Sequence, residues 1–252
     1  MKFITSLSRH RIERQQYCLK TWQQYGEITA VQSAADIEIL TPHFPHVHFV
    51  ETDKTGSHKY SLPNRVRIRA MIDQGPGLLI NSDIKIDSSR EDFQADWESQ
   101  RGQFNVGIRY GFDEPGQPKT MNPYGIDAFL ITEEVMDLVP DVGFVIGVSV
   151  WDYWIVWHMM TERFRIKAKT TPGLLHLRHP QNWGERDTEI GLSIMRSVYG
   201  LNEPKKILDS VRSSNVACAS SAAAPNRTSC SSICAPKKLL AKKQKTCCTK
   251  PT

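Results

Sequence analysis

The sequence predicts an α/β fold in which a mainly parallel central sheet carries helices on both faces, and three observations predict it. From Lys2 to Tyr110, segments with a strand period alternate with segments of helical period. Gly77-Leu78-Leu79-Ile80 is apolar without alternation, as a strand buried on both faces must be. After Asp209 the chain turns to Ser, Ala, Cys and Lys with almost no aromatics, a composition that does not bury enough surface to fold.

The elements follow in order. Lys2 to Ser8 reads as a buried strand breaking into a hydroxyl-rich turn, and Arg9 to Tyr25 as a helix closed by Gly26. Ile28 to Gln32 is a second strand, Ala34 to Leu40 a short helix ending before Pro42, and His46 to Glu51 a third, alternating strand. Pro63 to Gln74 is helical and stops at Gly75-Pro76-Gly77, where the central strand begins. Arg90 to Arg101 reads as a surface helix and Phe104 to Tyr110 as a strand. Gly111 to Asn122, with two prolines and two glycines, reads as a long loop. A strand over Gly125 to Ile131, a helix over Val150 to Met160, an edge strand over Arg165 to Lys169 and a helix over Asp187 to Tyr199 complete the body. The reading is therefore one domain over residues 1–208 and a disordered basic tail over 209–252.

Charge and cysteine usage narrow the function. The net charge of +5 over 252 residues invites a nucleic-acid reading, but eight of the 32 basic residues and no acidic one follow Asp209. Removing those eight leaves 24 basic against 27 acidic residues in the body, which argues against a basic groove and a nucleic-acid partner. Five of the six cysteines lie in the tail and only Cys18 in the body, so a reducing, cytoplasmic setting is expected. No apolar run approaches the roughly 20 residues of a membrane span, and the amino-terminal stretch is too charged for a secretory signal.

The chemistry concentrates in four stretches. Asn81-Ser82-Asp83 follows the buried strand, so a carboxylate and an amide surface at its carboxyl end, where open α/β sheets bind ligands. Such a pair suits a hard divalent cation whose remaining positions take phosphate oxygens. The others are Gly125-Ile126-Asp127-Ala128-Phe129, Gly147-Val148-Ser149-Val150-Trp151-Asp152-Tyr153-Trp154, and His176-Leu177-Arg178-His179-Pro180 with Trp183. Asp152 is read as a general base or as the cap of the helix it opens, two roles one carboxylate can combine. Trp151 and Tyr153 offer flat faces for a sugar ring, whereas Trp154 and Trp157, at helical spacing, are read as core. His43, His46 and His48 are read as surface, and no set of ligands recommends zinc.

In this order the four stretches resemble the nucleotide-sugar-dependent glycosyltransferases of the GT-A fold, over about Lys2 to Tyr199. Asn81-Ser82-Asp83 resembles that fold's metal-binding Asp-x-Asp motif, with Asn81 departing from the usual first Asp. The resemblance implies a metal-dependent, inverting glycosyltransferase using Mn²⁺ or Mg²⁺, a nucleoside diphosphate sugar donor, and a glycan or other hydroxyl acceptor. It implies Asp83, Asn81 and His176 as metal ligands, with a hydrogen-bonded structural role as the alternative for His176. Asp152 becomes the catalytic base; Thr5, Ser6, Arg11, Asn64 and Ser82 line the nucleotide; Asp127, Trp151 and His179 meet sugar. Arg11 and Arg14 are equally well explained by an exposed helix face, and Asp127 by a turn-side carboxylate. The rival from another class is a non-catalytic nucleotide-sugar or glycan-binding relative.

Overall fold

The computed structural model describes residues 1–56, 65–112, 120–148, 150–169, 173–177 and 184–222. Its first half follows the expected alternation: β1 (Lys2–Thr5), α1 (Ile12–Trp22), β2 (Glu27–Gln32), α2 (Ala34–Leu40), β3 (His48–Glu51), α3 (Ile68–Ile72) and β4 (Gly77–Ile80). The strands β3, β2, β1 and β4 lie side by side and parallel, each reached by a crossover, as βαβ connections require.

Beyond β4 the sheet is mixed, which corrects the expectation of a mainly parallel one. A short turn leads from β4 into β5 (Ile84–Ile86), and α4 (Arg90–Asp96) leads into the long β6 (Gln103–Phe112). The strand β7 (Thr120–Ile131) follows β6 in the chain and pairs with it antiparallel. Its far end pairs antiparallel with β4, seating β7 in the middle of the sheet. After α5 (Glu133–Leu138) and α6 (Trp151–Thr161), the strands β8 (Arg165–Lys169) and β9 (Leu174–Leu177) share one edge of β6, β8 along its first half and β9 along its second. An antiparallel β5 on the outer side of β9 completes the sheet.

The four residues of β4 are buried on both faces, as their unbroken apolar run demands. Leu78 and Ile80 face a core shared with Phe3, Trp22, Tyr25 and Phe93 under α1 and α4, while Leu79 faces a second core with Phe129, Trp151 and Trp154 under α6. The helices α7 (Glu185–Tyr199) and α8 (Pro204–Ala222) close that second side. The domain boundary read after residue 208 thus falls inside α8, because Ile207, Leu208 and Val211 form one buried stripe that continues past it. Residues 223–252 lie outside the described residues. Among those described, no helix is long and apolar enough to cross a membrane.

Candidate functional site

The polar triplet after β4 is a tight turn. The Ile84 N–H donates to the Asn81 carbonyl at 3.2 Å, and the Asn81 N–H donates to the Asp127 carbonyl of β7 at 3.0 Å. Ser82 and Asp83 therefore stand at the crest of a turn anchored to the centre of the sheet, and both keep partial exposure. The β5–β9 ladder sets Ile84 opposite His176, which brings the imidazole alongside the crest. His176 Nε2 lies 3.1 Å from Asp83 Oδ2, and since a carboxylate only accepts, that nitrogen carries the proton.

A second pair lies across the ladder. Asn81 Nδ2 donates to Asp127 Oδ1 at 2.6 Å, and Asp127 Oδ2 forms an ion pair with Arg109 Nη1 of β6 at 2.9 Å. Register shifts on both sides of Ile108 break the in–out alternation of β6 there and re-aim Arg109 toward Asp127. Burial works against the Arg109 cation, yet the negative charges of Asp127, Asp83 and Asp152 outweigh it and hold its pKa above the ordinary value. Three carboxylates from three separate elements thus act on one guanidinium.

Asp152 lies in the first turn of α6, whose entry residue Val150 has φ 76°. Left-handed backbone at a β-branched residue is strained, and such strain collects where a structure over-determines a site. The carboxylate accepts from the Tyr153 N–H at 3.0 Å and is closely surrounded by protein while the residue keeps partial exposure. Burial, and next the charge of Asp127, push its pKa up to about 7, against the pull of the backbone N–H groups and Arg109. The helix behind it is braced: Trp154 Nε1 donates to Tyr199 Oη at 3.1 Å, and His158 Nε2 lies 2.9 Å from the Leu138 carbonyl.

The loop after β1 is tied to the same turn. The side chain of Gln15, buried in α1, donates to the carbonyls of Ser8 and His10 at 2.8 and 3.0 Å and accepts from the Ser8 N–H at 2.8 Å. It also accepts from Ser82 Oγ at 3.0 Å. Gln32 braces the other side, donating to the Leu7 carbonyl at 2.8 Å and accepting from Ser6 Oγ at 3.2 Å. Arg14 Nη1 donates to the Leu177 carbonyl at 3.3 Å, which places its guanidinium beside the strand that carries His176.

Of the residues expected at the site, Asn81, Ser82, Asp83, Asp127, Asp152 and His176 are linked by these contacts and charges. Two others are placed differently. Trp151 was expected to offer a sugar-stacking face, but it is buried with its ring centroid 5.1 Å from that of Phe129, because the first turn of α6 drops into the second core. Thr5 was expected at the nucleotide, but it is fully buried at the end of β1, its hydroxyl without a hydrogen-bond partner among the described residues. Arg11 is exposed at the left-handed residue before α1. Ser6 faces Gln32 on the β1–α1 loop, and Asn64 and His179 lie outside the described residues.

Asp83, Asn81 and His176 are the residues that would hold a divalent cation at this turn. Among the described residues no group of three or more His, Cys, Asp or Glu side chains is placed to hold a metal ion. The 3.1 Å between Asp83 Oδ2 and His176 Nε2 is a hydrogen-bond distance, so the imidazole would have to give up the proton on Nε2 before that nitrogen could ligate an ion. Asn81, with its NH₂ given to Asp127, keeps its amide oxygen for a third position.

No protein-family model and no curated protein matches the sequence. Among solved structures the chain is similar to a glycosyltransferase involved in the glycosylation of the major capsid of PBCV-1, at 10% identity and a TM-score of 0.39, over 75% of this chain and 98% of that one.

Proposed function

We propose that the chain is a metal-dependent, inverting glycosyltransferase that moves a sugar from a nucleoside diphosphate donor to an acceptor hydroxyl. The observation that carries this reading is that Asp127 is paired with Arg109 while the charges of Asp83 and Asp152 also act on it, with His176 beside Asp83. Asp83 and Asp127 against Arg109 leave one negative charge and Asp152, when ionised, adds a second, a balance that favours a bound divalent cation. Asp83 and His176 would hold the ion, with Asn81 Oδ1 as a further ligand. When bound, Mn²⁺ or Mg²⁺ supplies charge stabilisation for the departing diphosphate.

The protein's own groups divide the rest of the work. Asp127 is committed to Asn81 and Arg109, which leaves Asp152 as the base. With a pKa pushed up to about 7, Asp152 takes a proton readily near neutrality and is still ionised in a large share of molecules. The acceptor O–H gives its proton to Asp152 as the oxygen bonds to the anomeric carbon. On the opposite face the bond from that carbon to the diphosphate oxygen breaks, so the configuration inverts. The β1–α1 loop, held to Ser82 through Gln15, is the proposed seat of the nucleotide, and Ser6, Arg11, Ser82 and Arg14 are its candidate contacts.

The amide at position 81, in place of a second carboxylate, is the observation that favours a non-catalytic nucleotide-sugar-binding relative. One experiment separates the two. A panel of nucleoside diphosphates with and without Mn²⁺ is screened by thermal shift, and the donor class that stabilises best is then offered as the sugar nucleotide. Metal-dependent transfer or donor hydrolysis that vanishes in Asp152→Asn supports the transferase. Stabilisation without turnover supports the binding module, and no stabilisation by any diphosphate refutes both.

A further inference from the structure

Asn81 departs from the carboxylate the Asp-x-Asp pattern would place there, and the structure supplies a physical reason. Its side chain donates to Asp127 Oδ1 at 2.6 Å while its backbone N–H donates to the Asp127 carbonyl at 3.0 Å, so two bonds lock the residues together. A carboxylate offers only acceptors, and the amide must therefore turn its NH₂ toward Asp127. An aspartate at 81 would set oxygen against oxygen at the same distance, and one of the two groups would have to take up a proton or swing away.

The consequence reaches Arg109. The second oxygen of Asp127 holds Arg109 Nη1 at 2.9 Å, and the stem of Arg109 crosses Gly125 so closely that a Cβ there would lie 2.7 Å from its Cγ and Cδ. Asn81, Asp127 and Arg109 form a continuous chain of contacts from the polar turn to the guanidinium that the three carboxylates share. We infer that Asn81 and Asp127 are a positioning pair: the carboxylate at 127 dictates the amide at 81, and together they hold Arg109 among the carboxylates of the site. The pair rests on geometry alone. What the held Arg109 does, keeping the base and the metal-binding carboxylate in place for sugar transfer, rests on the transferase reading.

The test exchanges the two groups. In the double variant Asn81→Asp with Asp127→Asn, the amide at 127 turns its NH₂ to the new carboxylate and its oxygen to Arg109, so both contacts and the net charge are rebuilt. Melting temperatures of wild type, both single variants and the double variant are measured without ligand near neutral pH. Asn81→Asp is expected to fall by about 5 °C or more, and the double variant to regain most of that loss. An Asn81→Asp chain as stable as wild type, or a double variant no better than the weaker single one, overturns the pair.

Turnover supplies the readout that a mere brace leaves unmoved. The double variant is expected to exceed Asn81→Asp by at least about tenfold in kcat/KM, and Arg109→Lys to lose about tenfold or more while melting near wild type. Recovery of melting temperature without recovery of turnover makes the pair a structural brace and overturns its positioning role. If wild type itself turns over no sugar nucleotide, the transferase reading fails, and the four melting temperatures still decide the pair.

Discussion

Replacing Asp152 with asparagine is expected to stabilise the protein while abolishing transfer. Burial and the neighbouring Asp127 raise this carboxyl from its ordinary 3.8 to about 7. At 1.36 kcal/mol per pH unit, that rise corresponds to about 4 kcal/mol of stability given up once the group is ionised. The sign follows from proton binding. Between roughly pH 4 and pH 7 the folded chain keeps a proton that the unfolded chain has released, so this contribution is whole below about pH 4 and is lost as pH rises toward 7. Asparagine carries no such penalty and still accepts from the Tyr153 N–H through its oxygen. Against the gain stand the partial exposure of the residue and the lost charge at a helix start, the latter worth about 0.3–1 kcal/mol, which leaves about 2–3 kcal/mol. For a domain of this size that is a rise in melting temperature of roughly 4–10 °C at about pH 8, shrinking toward zero near pH 4. Melting curves of the two proteins across that range test it. A variant that melts at or below wild type at the alkaline end, or a difference that does not grow with pH, refutes the assignment of a buried, raised carboxyl. The same residue predicts an acid limb in the pH profile of kcat/KM near 7, and a loss of about 10²–10⁴-fold in transfer for the variant.

Three further outcomes follow from the contacts. Asp83→Asn and His176→Ala are each expected to erase the Mn²⁺-dependent part of nucleoside diphosphate stabilisation in thermal shift while leaving the unliganded melting temperature within a few degrees, about the effect of 1 kcal/mol; retention of the metal effect in both refutes the proposed ligand pair. Gly125→Ala places a methyl 2.3 Å from Arg109 Nε, so a destabilisation of about 1–3 kcal/mol and a displaced guanidinium are expected, checked by denaturant unfolding and a crystal structure of the variant. Gln15→Ala removes the hydrogen bonds that hold Ser8, His10 and Ser82 around one amide, and is expected to lower stability by about 2–3 kcal/mol and to raise KM for the donor more than it lowers kcat.

The residues of the candidate site were legible where their chemistry interrupts a pattern, and illegible where it depends on register. Asn81, Ser82 and Asp83 follow an unbroken apolar run, and Asp152 opens a strongly apolar helix, so both announce themselves in the chain. Arg109 was missed although it is a lone charge inside Val106-Gly107-Ile108-Arg109-Tyr110. Alternation alone assigns such a residue to one face, and only the bulges flanking Ile108 turn it toward Asp127. The antiparallel turn of the sheet was hidden for a related reason. Gly111 to Asn122 reads as loop because it holds two prolines and two glycines, yet β7 already begins at Thr120 and meets the far end of β6 at Gly111 and Tyr110. Gln15 carries no signal at all, because a glutamine on a helix reads as solvated until the loop it binds is seen to need partners. The stripe of Ile207, Leu208 and Val211 was cut by a composition boundary drawn within α8, although its spacing is helical.

These misses share a cause that bears on the site's chemistry. A local pattern identifies a group that is out of place for packing, but a carboxylate becomes a base, a ligand or a brace according to what faces it across a ladder. Asp83 faces His176 through the β5–β9 pairing, whereas Asp127 faces Asn81 and Arg109 through the pairings of β7 with β4 and β6. Asp152, reached by no ladder and set on a helix start, is left to carry the raised pKa. The different surroundings of three chemically identical side chains are therefore a property of the mixed sheet, and a wholly parallel sheet would not have brought Asn81 and Asp127 together across adjacent antiparallel strands.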